Sequence, residues 1–364
     1  MYQEIRLHFT DFPGETNISL MLKILRKRFN IILDAQNPDY LIYSLNGRNH
    51  LKYRECIKIF FTAENFRPDF NICDYAIGYD YINFDDRYLR FPNYALYDEW
   101  FDILRRKKSL SSTKKKFCNF IYTNGSETAY RDNFFRLLSE YKFVDSLGRH
   151  LKNSDLDIAA PYNGNWSGAK VAAQTDFKFT IAFENGSFPG YSTEKIVHAL
   201  AADTIPIYWG DPNVERVFNS RRFINANGKK LEAVVDEVKR INEDQSTYQS
   251  MMNETFFADN FSFNEISENT FIDFFKNIFS QPLAQARRRC DNSWTKRYES
   301  NLSKSSGCIL NKNVWVNFDG SKIRASLRRL MGKIYKEYYT RTRPLHMMHI
   351  HFEPSRAEHK NKEA

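Results

Sequence analysis

The sequence contains little that is typical of a secreted or membrane-spanning protein. Its five cysteines are scattered and form no CxxC pair, which disfavours both a disulfide framework and a structural zinc site. No run reaches the roughly 18 apolar residues that a spanning helix needs. Residues 1–12 have the alternation of a strand rather than the pattern of a signal peptide or a membrane anchor. We therefore expect a cytoplasmic protein that folds in a reducing compartment.

The charge is unevenly distributed, and this decides what it means. The net charge of +9 would by itself suggest a nucleic-acid partner. Residues 321–364, however, hold 11 Lys and Arg against 4 Asp and Glu, so this tail supplies +7 of the total. The first 320 residues are nearly neutral. We therefore expect no nucleic-acid partner for the folded body and assign the basic character to the tail.

Aromatic residues are abundant, with 31 Phe and 21 Tyr among 364 residues. That content supplies enough apolar surface for buried sheets, and the length suits two domains better than one. Short apolar segments alternate with amphipathic ones over residues 5–147, as in open α/β sheets, whereas residues 149–176 are loop-like. We predict α/β domains at 1–113 and 114–300, followed by an extension over 301–364.

Residues 177–210 predict a strand over Phe177–Phe183, a polar loop, a helix and a second strand over Ile205–Trp209. Ser192 is the predicted N-cap of the helix, which spans Thr193–Asp203. The first N–H groups of a helix lack intrahelical partners and can bind phosphate. Lys195 lies in this first turn, where the helix dipole disfavours a cation by roughly 0.3–1 kcal/mol. Two interpretations stay open: a bound anion stabilises Lys195, or Lys195 is a solvated lysine beside Glu194.

The basic tail has apolar residues at helical spacing, namely Ile323, Leu327, Leu330, Ile334 and Tyr338. This pattern fits a helix on an anionic membrane surface, and it fits equally a helix docked on the body with a solvated basic face. The first interpretation predicts a protein that is peripheral on the inner face of the membrane through residues 321–364.

Five segments together resemble the alpha-1,3/1,4-fucosyltransferases of glycosyltransferase family ten, and in particular the soluble bacterial type. They are FTAENFRPDFNICDYAIGYD (61–80), DRYLRFPNY (86–94), FIYTNGSETAYRDNFF (120–135), VDSLGR (144–149) and FENGSFPGYSTEKIVHALAADTIPIYWG (183–210). The succession of FEN, YxTEK and IPIYWG is the specific part of the match, since a single short motif would mean little.

The resemblance implies a GT-B fold, with two Rossmann-like domains facing across a cleft. Residues 1–113 would bind the acceptor sugar and residues 114–300 GDP-fucose. The implied reaction is an inverting transfer of L-fucose to N-acetylglucosamine in a β-galactoside-containing glycan, as in Lewis antigens or protein glycosylation. No metal or other cofactor is expected to be required, because protein cations would neutralise the diphosphate. The alternatives are a GT-B glycosyltransferase for another nucleotide sugar, or a basic protein that binds nucleic acid or a membrane surface.

The resemblance also implies roles for single residues. Glu64 matches the general base that takes a proton from the acceptor hydroxyl, and we expect Phe60, Phe61 and Phe66 to limit its solvation. The matched donor-binding residues are Thr123 and Asn124 for the nucleotide, Arg131 for the diphosphate, Asn185 near the fucose, Tyr191 and Lys195 for the phosphates, and Glu194 for the ribose. We assign no metal ligand, because the triplet Asp155–Asp157 lies in a polar loop outside the matched segments. The choice between 1,3 and 1,4 linkage, the acceptor backbone and the oligomeric state stay open.

Overall fold

The computed structural model of the protein describes residues 4–96, 98–106, 114–123, 125, 129–155 and 166–304. Asn124, most of the triplet Asp155–Asp157 and the tail over 321–364 lie outside these residues. The predicted domain boundaries at 113 and 300 stay predictions. Within the described part of the chain, no helix combines the length and the apolar composition needed to cross a bilayer.

The described residues form two sheets, of which the first has six strands. They are β1 (Glu4–Thr10), β2 (Asn30–Leu33), β3 (Tyr40–Tyr43), β4 (Ile57–Phe61), β5 (Tyr75–Gly78) and β6 (Tyr88–Arg90). The strand order is β2-β1-β3-β4-β5-β6, with parallel pairing throughout. The central strands β3, β4 and β5 are buried along their whole length. Their continuous apolar runs follow from this, since helices cover both faces of such parallel sheets.

The second sheet has five strands. They are β7 (Lys116–Phe120), β8 (Val144–Ser146), β9 (Phe177–Phe183), β10 (Ile205–Trp209) and β11 (Ile224–Asn225). Their order is β8-β7-β9-β10-β11, again entirely parallel. The order therefore reverses between β7 and β9, which makes the carboxyl ends of these two strands the expected place for a ligand.

Helices connect the strands and close the body. They are α1 (Thr16–Leu25), α2 (Asn93–Leu96), α3 (Asp98–Arg106), α4 (Ala129–Tyr141), α5 (Trp166–Gln174), α6 (Glu194–Ala201), α7 (Leu231–Glu243), α8 (Gln245–Asn253), α9 (Glu268–Phe279), α10 (Leu283–Ala286) and α11 (Ser293–Lys304). After the second sheet, the chain returns to the first one. Phe279 of α9 contacts the ring of Tyr40 at 4.6 Å between ring centroids, and Arg289 forms a buried ion pair with Asp74 at 2.9 Å.

The prediction of a loop over 149–176 is wrong for Trp166–Gln174, which form α5. The turn residues Asn163, Gly164 and Asn165 favoured a loop. The sequence after them is rich in alanine, the residue with the highest helix propensity. Ala169 and Ala173 of this helix pack against the buried residues Leu147 and Phe177. This tertiary packing stabilises a helix that would be only marginally stable by propensity alone.

The predicted start of α6 is wrong by one residue. Thr193 rather than Ser192 is the N-cap, and its own side chain does not cap the helix. The Ser192 hydroxyl lies 3.0 Å from the Tyr208 hydroxyl instead. A carboxylate outside the helix, that of Glu184, accepts the Thr193 backbone N–H at 2.8 Å. The capping group therefore comes from the end of β9, nine residues earlier.

Candidate active site

The ends of β7 and β9 are tied together by Tyr122, which follows β7. Its hydroxyl accepts the Phe183 backbone N–H at 2.7 Å and donates towards the Phe183 carbonyl at 2.9 Å. Glu184 and Asn185 begin the polar connection to α6, residues 184–193, which we call the β9–α6 loop. Because Tyr122 fixes both strand ends, the loops that leave them form one site at the reversal of the sheet order.

Arg131 of α4 is brought to this site. It is 1% exposed, and its guanidinium lies over the Tyr122 ring at 4.0 Å. One guanidinium nitrogen lies 3.4 Å from the side-chain oxygen of Asn185. The structure thus places Arg131 and Asn185 side by side, although they are 54 positions apart in the sequence. A buried guanidinium beside an amide suits bidentate recognition of a phosphate group.

Lys195 is paired with a buried carboxylate. Its ammonium group lies 3.1 Å from Glu184 and 3.0 Å from the Thr193 hydroxyl, and its side chain is 15% exposed. The interpretation of Lys195 as a solvated lysine is therefore wrong. Burial opposes its charge, but Glu184 and Glu194 outweigh burial and raise the pKa of Lys195. A carboxylate of the protein itself thus offsets the unfavourable helix dipole and keeps Lys195 cationic.

Two further charges complete a buried cluster on this side of the site. The Glu194 carboxylate lies 3.7 Å from the Lys170 ammonium on α5 and 3.9 Å from that of Lys195. Burial favours protonation of Glu194, but Lys195 and Lys170 hold its pKa below the ordinary range. We name Lys170, Glu184, Glu194 and Lys195 the four-charge cluster. Its two cations balance its two anions, as buried charges require.

Sequence reasoning missed the part played by two members of this cluster. Glu184 was visible within the FEN motif, but a motif does not reveal that its carboxylate caps a helix and pairs with Lys195. Lys170 was not singled out, because it lies on α5, a segment that the sequence predicts as loop. A lysine beside three alanines and a valine on an amphipathic segment would have been the available clue.

The β9–α6 loop contacts the first domain. Tyr191 is 1% exposed, and its ring meets that of Tyr79, the residue after β5, at a centroid distance of 5.1 Å. Gly190 has φ +85°, and a Cβ added there would lie 2.5 Å from the Tyr79 carbonyl oxygen. Its backbone N–H donates to Asp211 at 2.7 Å. Glycine is therefore required at this position both by the backbone angle and by the close approach.

Glu64 lies three residues beyond β4 in a turn formed by residues 62–66, which we call the β4 turn. Its backbone N–H donates to the Thr62 hydroxyl at 3.0 Å. The expected shielding of its side chain is wrong, because Glu64 is exposed, Phe66 is itself 53% exposed, and Phe60 and Phe61 are buried within the sheet.

Glu64 nevertheless lies close to the β9–α6 loop, because a Cβ added at Gly186 of that loop would lie 2.9 Å from the side-chain nitrogen of Asn65, the residue after Glu64. Burial is the main cause that raises the pKa of Tyr191, Glu184 is the next, and the charge of Glu64 adds to them. The two domains therefore bring Glu64 within electrostatic range of Tyr191.

Of the remaining predicted residues, Thr123 is exposed beyond the end of β7. Among the residues that the structure describes, no group of three or more His, Cys, Asp or Glu side chains could hold a metal ion.

Comparison with known proteins gives the family. Residues 7–97 match the N-terminal domain of alpha-(1,3)-fucosyltransferase FucT, and residues 111–278 match the C-terminal domain of glycosyltransferase family 10 (fucosyltransferase). The chain belongs to glycosyltransferase family 10. Together the two matched segments cover more than two thirds of it, and the second one contains the whole of the β9–α6 loop.

Individual fucosyltransferases are similar in sequence to this chain. The alpha-(1,3)-fucosyltransferase FucT of Helicobacter pylori is 28% identical over 317 residues, which cover 71% of this chain and 62% of that protein. GDP-fucose protein O-fucosyltransferase 3 of Xenopus tropicalis is 32% identical over 149 residues, or 37% of this chain and 31% of that protein. The chain thus spans about six tenths or less of the length of these curated relatives.

Solved structures of the family confirm the predicted fold. The crystal structure of an alpha1,3-fucosyltransferase has a TM-score of 0.66 and 25% identity, covering 77% of this chain and 91% of that one. A crystal structure of an alpha1,3-fucosyltransferase with GDP has a TM-score of 0.64 at 24% identity, with the same coverage. The protein therefore has the GT-B fold, two Rossmann-like domains facing across a cleft. The roles of the individual site residues stay predictions.

Proposed function

We propose that the protein transfers L-fucose from GDP-fucose to a sugar hydroxyl, as an alpha-1,3-fucosyltransferase. The observation that carries this proposal is the convergence of Arg131, Asn185 and Lys195 at the carboxyl ends of β7 and β9. Arg131 is 54 positions from Asn185 in the sequence, and the family to which the chain belongs is that of the fucosyltransferases. Nucleotides bind at the point where the strand order of a parallel sheet reverses, and cations placed there favour the charge of a diphosphate.

The proposed chemistry is one displacement with inversion. Glu64 takes the proton of the acceptor hydroxyl while the hydroxyl oxygen forms a bond to the anomeric carbon of fucose. The bond from that carbon to the β-phosphate oxygen breaks, and both of its electrons leave with GDP. Arg131 and Lys195 stabilise the negative charge that develops on the departing diphosphate. This arrangement of protein cations supports a reaction in which a divalent metal is not essential.

The donor would be oriented by three further contacts. Asn185 lies next to Arg131 and suits the fucose end of the donor, while Tyr191 suits its phosphates. The Glu194 carboxylate suits the ribose hydroxyls, because carboxylates accept hydrogen bonds from vicinal diols, and Lys195 and Lys170 together hold its pKa below the ordinary range in this buried position. Thr123 and Asn124 would contact the nucleotide.

We propose N-acetylglucosamine of a β-galactoside-containing glycan as the acceptor. A second candidate acceptor is a Ser or Thr hydroxyl of a protein, which is favoured by the similarity to GDP-fucose protein O-fucosyltransferase 3. An exposed Glu64 is compatible with either acceptor, because it leaves the acceptor side of the cleft accessible.

A transfer assay tests both the donor and the acceptor. The full chain is supplied with GDP-fucose and with type one or type two disaccharides or an acceptor peptide, and the linkage of each product is determined. We expect α-1,3-fucosylated disaccharide and no transfer from GDP-mannose. Transfer to the peptide but not to the disaccharides would favour the second candidate acceptor, a protein hydroxyl. Transfer only from another nucleotide sugar, with no reaction of GDP-fucose, would refute the proposal.

We also propose a peripheral membrane location, on the cytoplasmic side, which the charge of residues 321–364 supports. The test is cosedimentation with vesicles containing anionic phospholipid, for the full chain and for a chain that lacks 321–364. Loss of binding on deletion is expected. Unchanged binding after the deletion would refute a role for the tail.

A further inference from the structure

We propose that Tyr79 is a positioning residue that holds the β4 turn against the β9–α6 loop and thereby sets the rate of fucose transfer. This inference rests on the proposed function, because it takes Glu64 of the β4 turn to be the base. Tyr79 is not assigned any contact with a substrate. It would act through its neighbours, Asn65 on one side and Tyr191 on the other.

The first link lies within the first domain. Tyr79 follows β5, and its hydroxyl donates to the side-chain oxygen of Asn65 at 2.7 Å. Asn65 is the residue after Glu64 and is exposed, whereas Tyr79 is only 4% exposed. A buried ring thus fixes an exposed turn by one hydrogen bond. The Thr62 hydroxyl fixes the same turn from the other side, through the backbone N–H of Glu64 at 3.0 Å.

The second link crosses to the β9–α6 loop, where the rings of Tyr79 and Tyr191 meet edge to face at 66°. Two glycines permit this contact. A Cβ on Gly186 would lie 2.9 Å from the amide nitrogen of Asn65, and a Cβ on Gly190 would lie 2.5 Å from the Tyr79 carbonyl oxygen. Asn65 and Tyr79 therefore both touch the loop that carries Asn185 and Tyr191.

A third contact joins Arg67, the residue after the β4 turn, to the β9–α6 loop and does not involve the Tyr79 side chain. The Arg67 guanidinium lies over the Phe188 ring at 4.0 Å and donates to Asp80 at 2.5 Å. Because this contact remains when the Tyr79 hydroxyl is removed, the Tyr79→Phe variant should keep both segments in place. What it loses is the fixed position of the residue next to Glu64.

Small displacements of this kind have large kinetic effects. A base must lie within hydrogen-bond reach of the proton that it removes, and a shift of about 1 Å can cost about a hundredfold in rate. The donor, in contrast, is bound by residues on the other side of the ring contact. Loss of the hydrogen bond between Tyr79 and Asn65 should therefore lower kcat and leave donor affinity unchanged.

The experiment compares Tyr79→Phe, Asn65→Ala and the double variant. Each chain is assayed for kcat at saturating GDP-fucose, for Kd of GDP by calorimetry, and for Tm. We expect each single change to lower kcat about tenfold, which corresponds to about 1.4 kcal/mol of activation free energy. The double variant should be no slower than Asn65→Ala, since both changes remove the same bond. The Kd of GDP should not change.

The matched control is Tyr53→Phe, which removes a tyrosine hydroxyl bond to the Ala35 carbonyl, 3.0 Å long, elsewhere in the first domain. It should keep the kcat of the unmodified chain. Wild-type kcat in both single variants, losses that add in the double variant, or a lower Tm without a lower kcat would each overturn the positioning role. Failure of the proposed function is distinguishable, because the unmodified chain itself would then transfer no fucose from GDP-fucose.

Discussion

The two sides of the candidate site differ in how their charged side chains are exposed and paired. On the second-domain side, the four-charge cluster is buried, balanced and tied to the backbone by Glu184 and Thr193. On the first-domain side, Glu64 is a single exposed carboxylate in a short turn. Buried, fixed cations stabilise a leaving diphosphate strongly because they need no reorganisation during the reaction. A base has to meet an acceptor that arrives from solvent, so it stays accessible.

This difference predicts that substitutions of charged residues on the two sides affect different measured quantities. Changes at Glu64 should alter the chemical step and leave folding and donor binding intact. Changes in the four-charge cluster should alter folding, donor binding or both. We expect the effects to decrease from Glu64, through the four-charge cluster, to a buried histidine of α6.

The largest effect is expected for Glu64→Gln. The amide cannot accept the acceptor proton, so kcat should fall about 10²–10⁴-fold, the usual contribution of a general base. Tm and the Kd of GDP should stay unchanged, because the side chain is exposed. Glu55→Gln serves as the control, since Glu55 is a 93% exposed carboxylate of the same domain. Near-wild-type turnover of Glu64→Gln would exclude Glu64 as the base.

Glu184→Gln should have the next largest effect, on stability. The change leaves the mostly buried Lys195 without its closest anion, and breaking such a pair costs about 3 kcal/mol or more. Urea denaturation measures the loss. Glu237→Gln is a suitable control, because Glu237 forms a comparable 2.7 Å pair with Lys229 in which both side chains are at least 30% exposed. Equal losses in the two variants would contradict the buried-pair argument.

Lys195→Ala should weaken the binding of GDP-fucose by about 2 kcal/mol, the cost of losing a charge-assisted contact. Calorimetric titration with GDP and GDP-fucose is the measurement. The variant also leaves Glu184 unpaired by Lys195, so its Tm has to be recorded, and the titration is done well below it. Donor affinity equal to that of the unmodified chain would refute the role of Lys195.

Lys170→Met should raise the KM for GDP-fucose about tenfold and change kcat less, because Lys170 acts through Glu194 rather than on the reacting atoms. Lys170→Arg keeps the charge and should restore most of the affinity. Equal KM values in the Met and Arg variants would show that the charge of Lys170 is irrelevant to the donor.

At neutral pH the smallest effect is expected for His198 of α6, which changes the pH dependence of stability rather than activity. Burial lowers the pKa of His198 to about 3, whereas an unfolded histidine titrates near pH 6.5. Below about pH 6.5 the unfolded chain therefore binds a proton that the folded chain does not. As the pH decreases, this group lowers the free energy of unfolding by up to about 1.4 kcal/mol per pH unit.

The test is urea denaturation of His198→Gln between pH 6.5 and 4. Its free energy of unfolding should fall less steeply with decreasing pH than that of the unmodified chain. Identical slopes would contradict the assignment of a buried, neutral imidazole.

Local patterns predicted the second sheet well. The limits of β9 and β10 match the predicted Phe177–Phe183 and Ile205–Trp209, because aromatic and β-branched runs end at unambiguous turn residues. The GT-B fold followed from the ordered succession of motifs. The pattern failed where the signals were mixed, as in α5, whose alanines follow three turn residues.

The ion pair of Lys195 with Glu184 could not be predicted from the sequence. The anomaly of Lys195 in a first helical turn was correctly noticed, but its partner Glu184 lies eleven residues away at the end of a strand. Only the parallel pairing of β9 with β10 and the return through α6 bring the two together. The exposure of Glu64 was missed for a similar reason. The aromatic residues near it in the chain point into the sheet or into solvent.

The central claim is that donor binding belongs to the buried charges and proton transfer to Glu64. The most direct test is a calorimetric titration of GDP into Glu64→Gln and into Lys195→Ala, with fucose transfer measured on the same samples. The account predicts unchanged GDP affinity with lost transfer for Glu64→Gln, and weakened GDP affinity for Lys195→Ala. The opposite pattern, or equal GDP affinities in both variants, would contradict it.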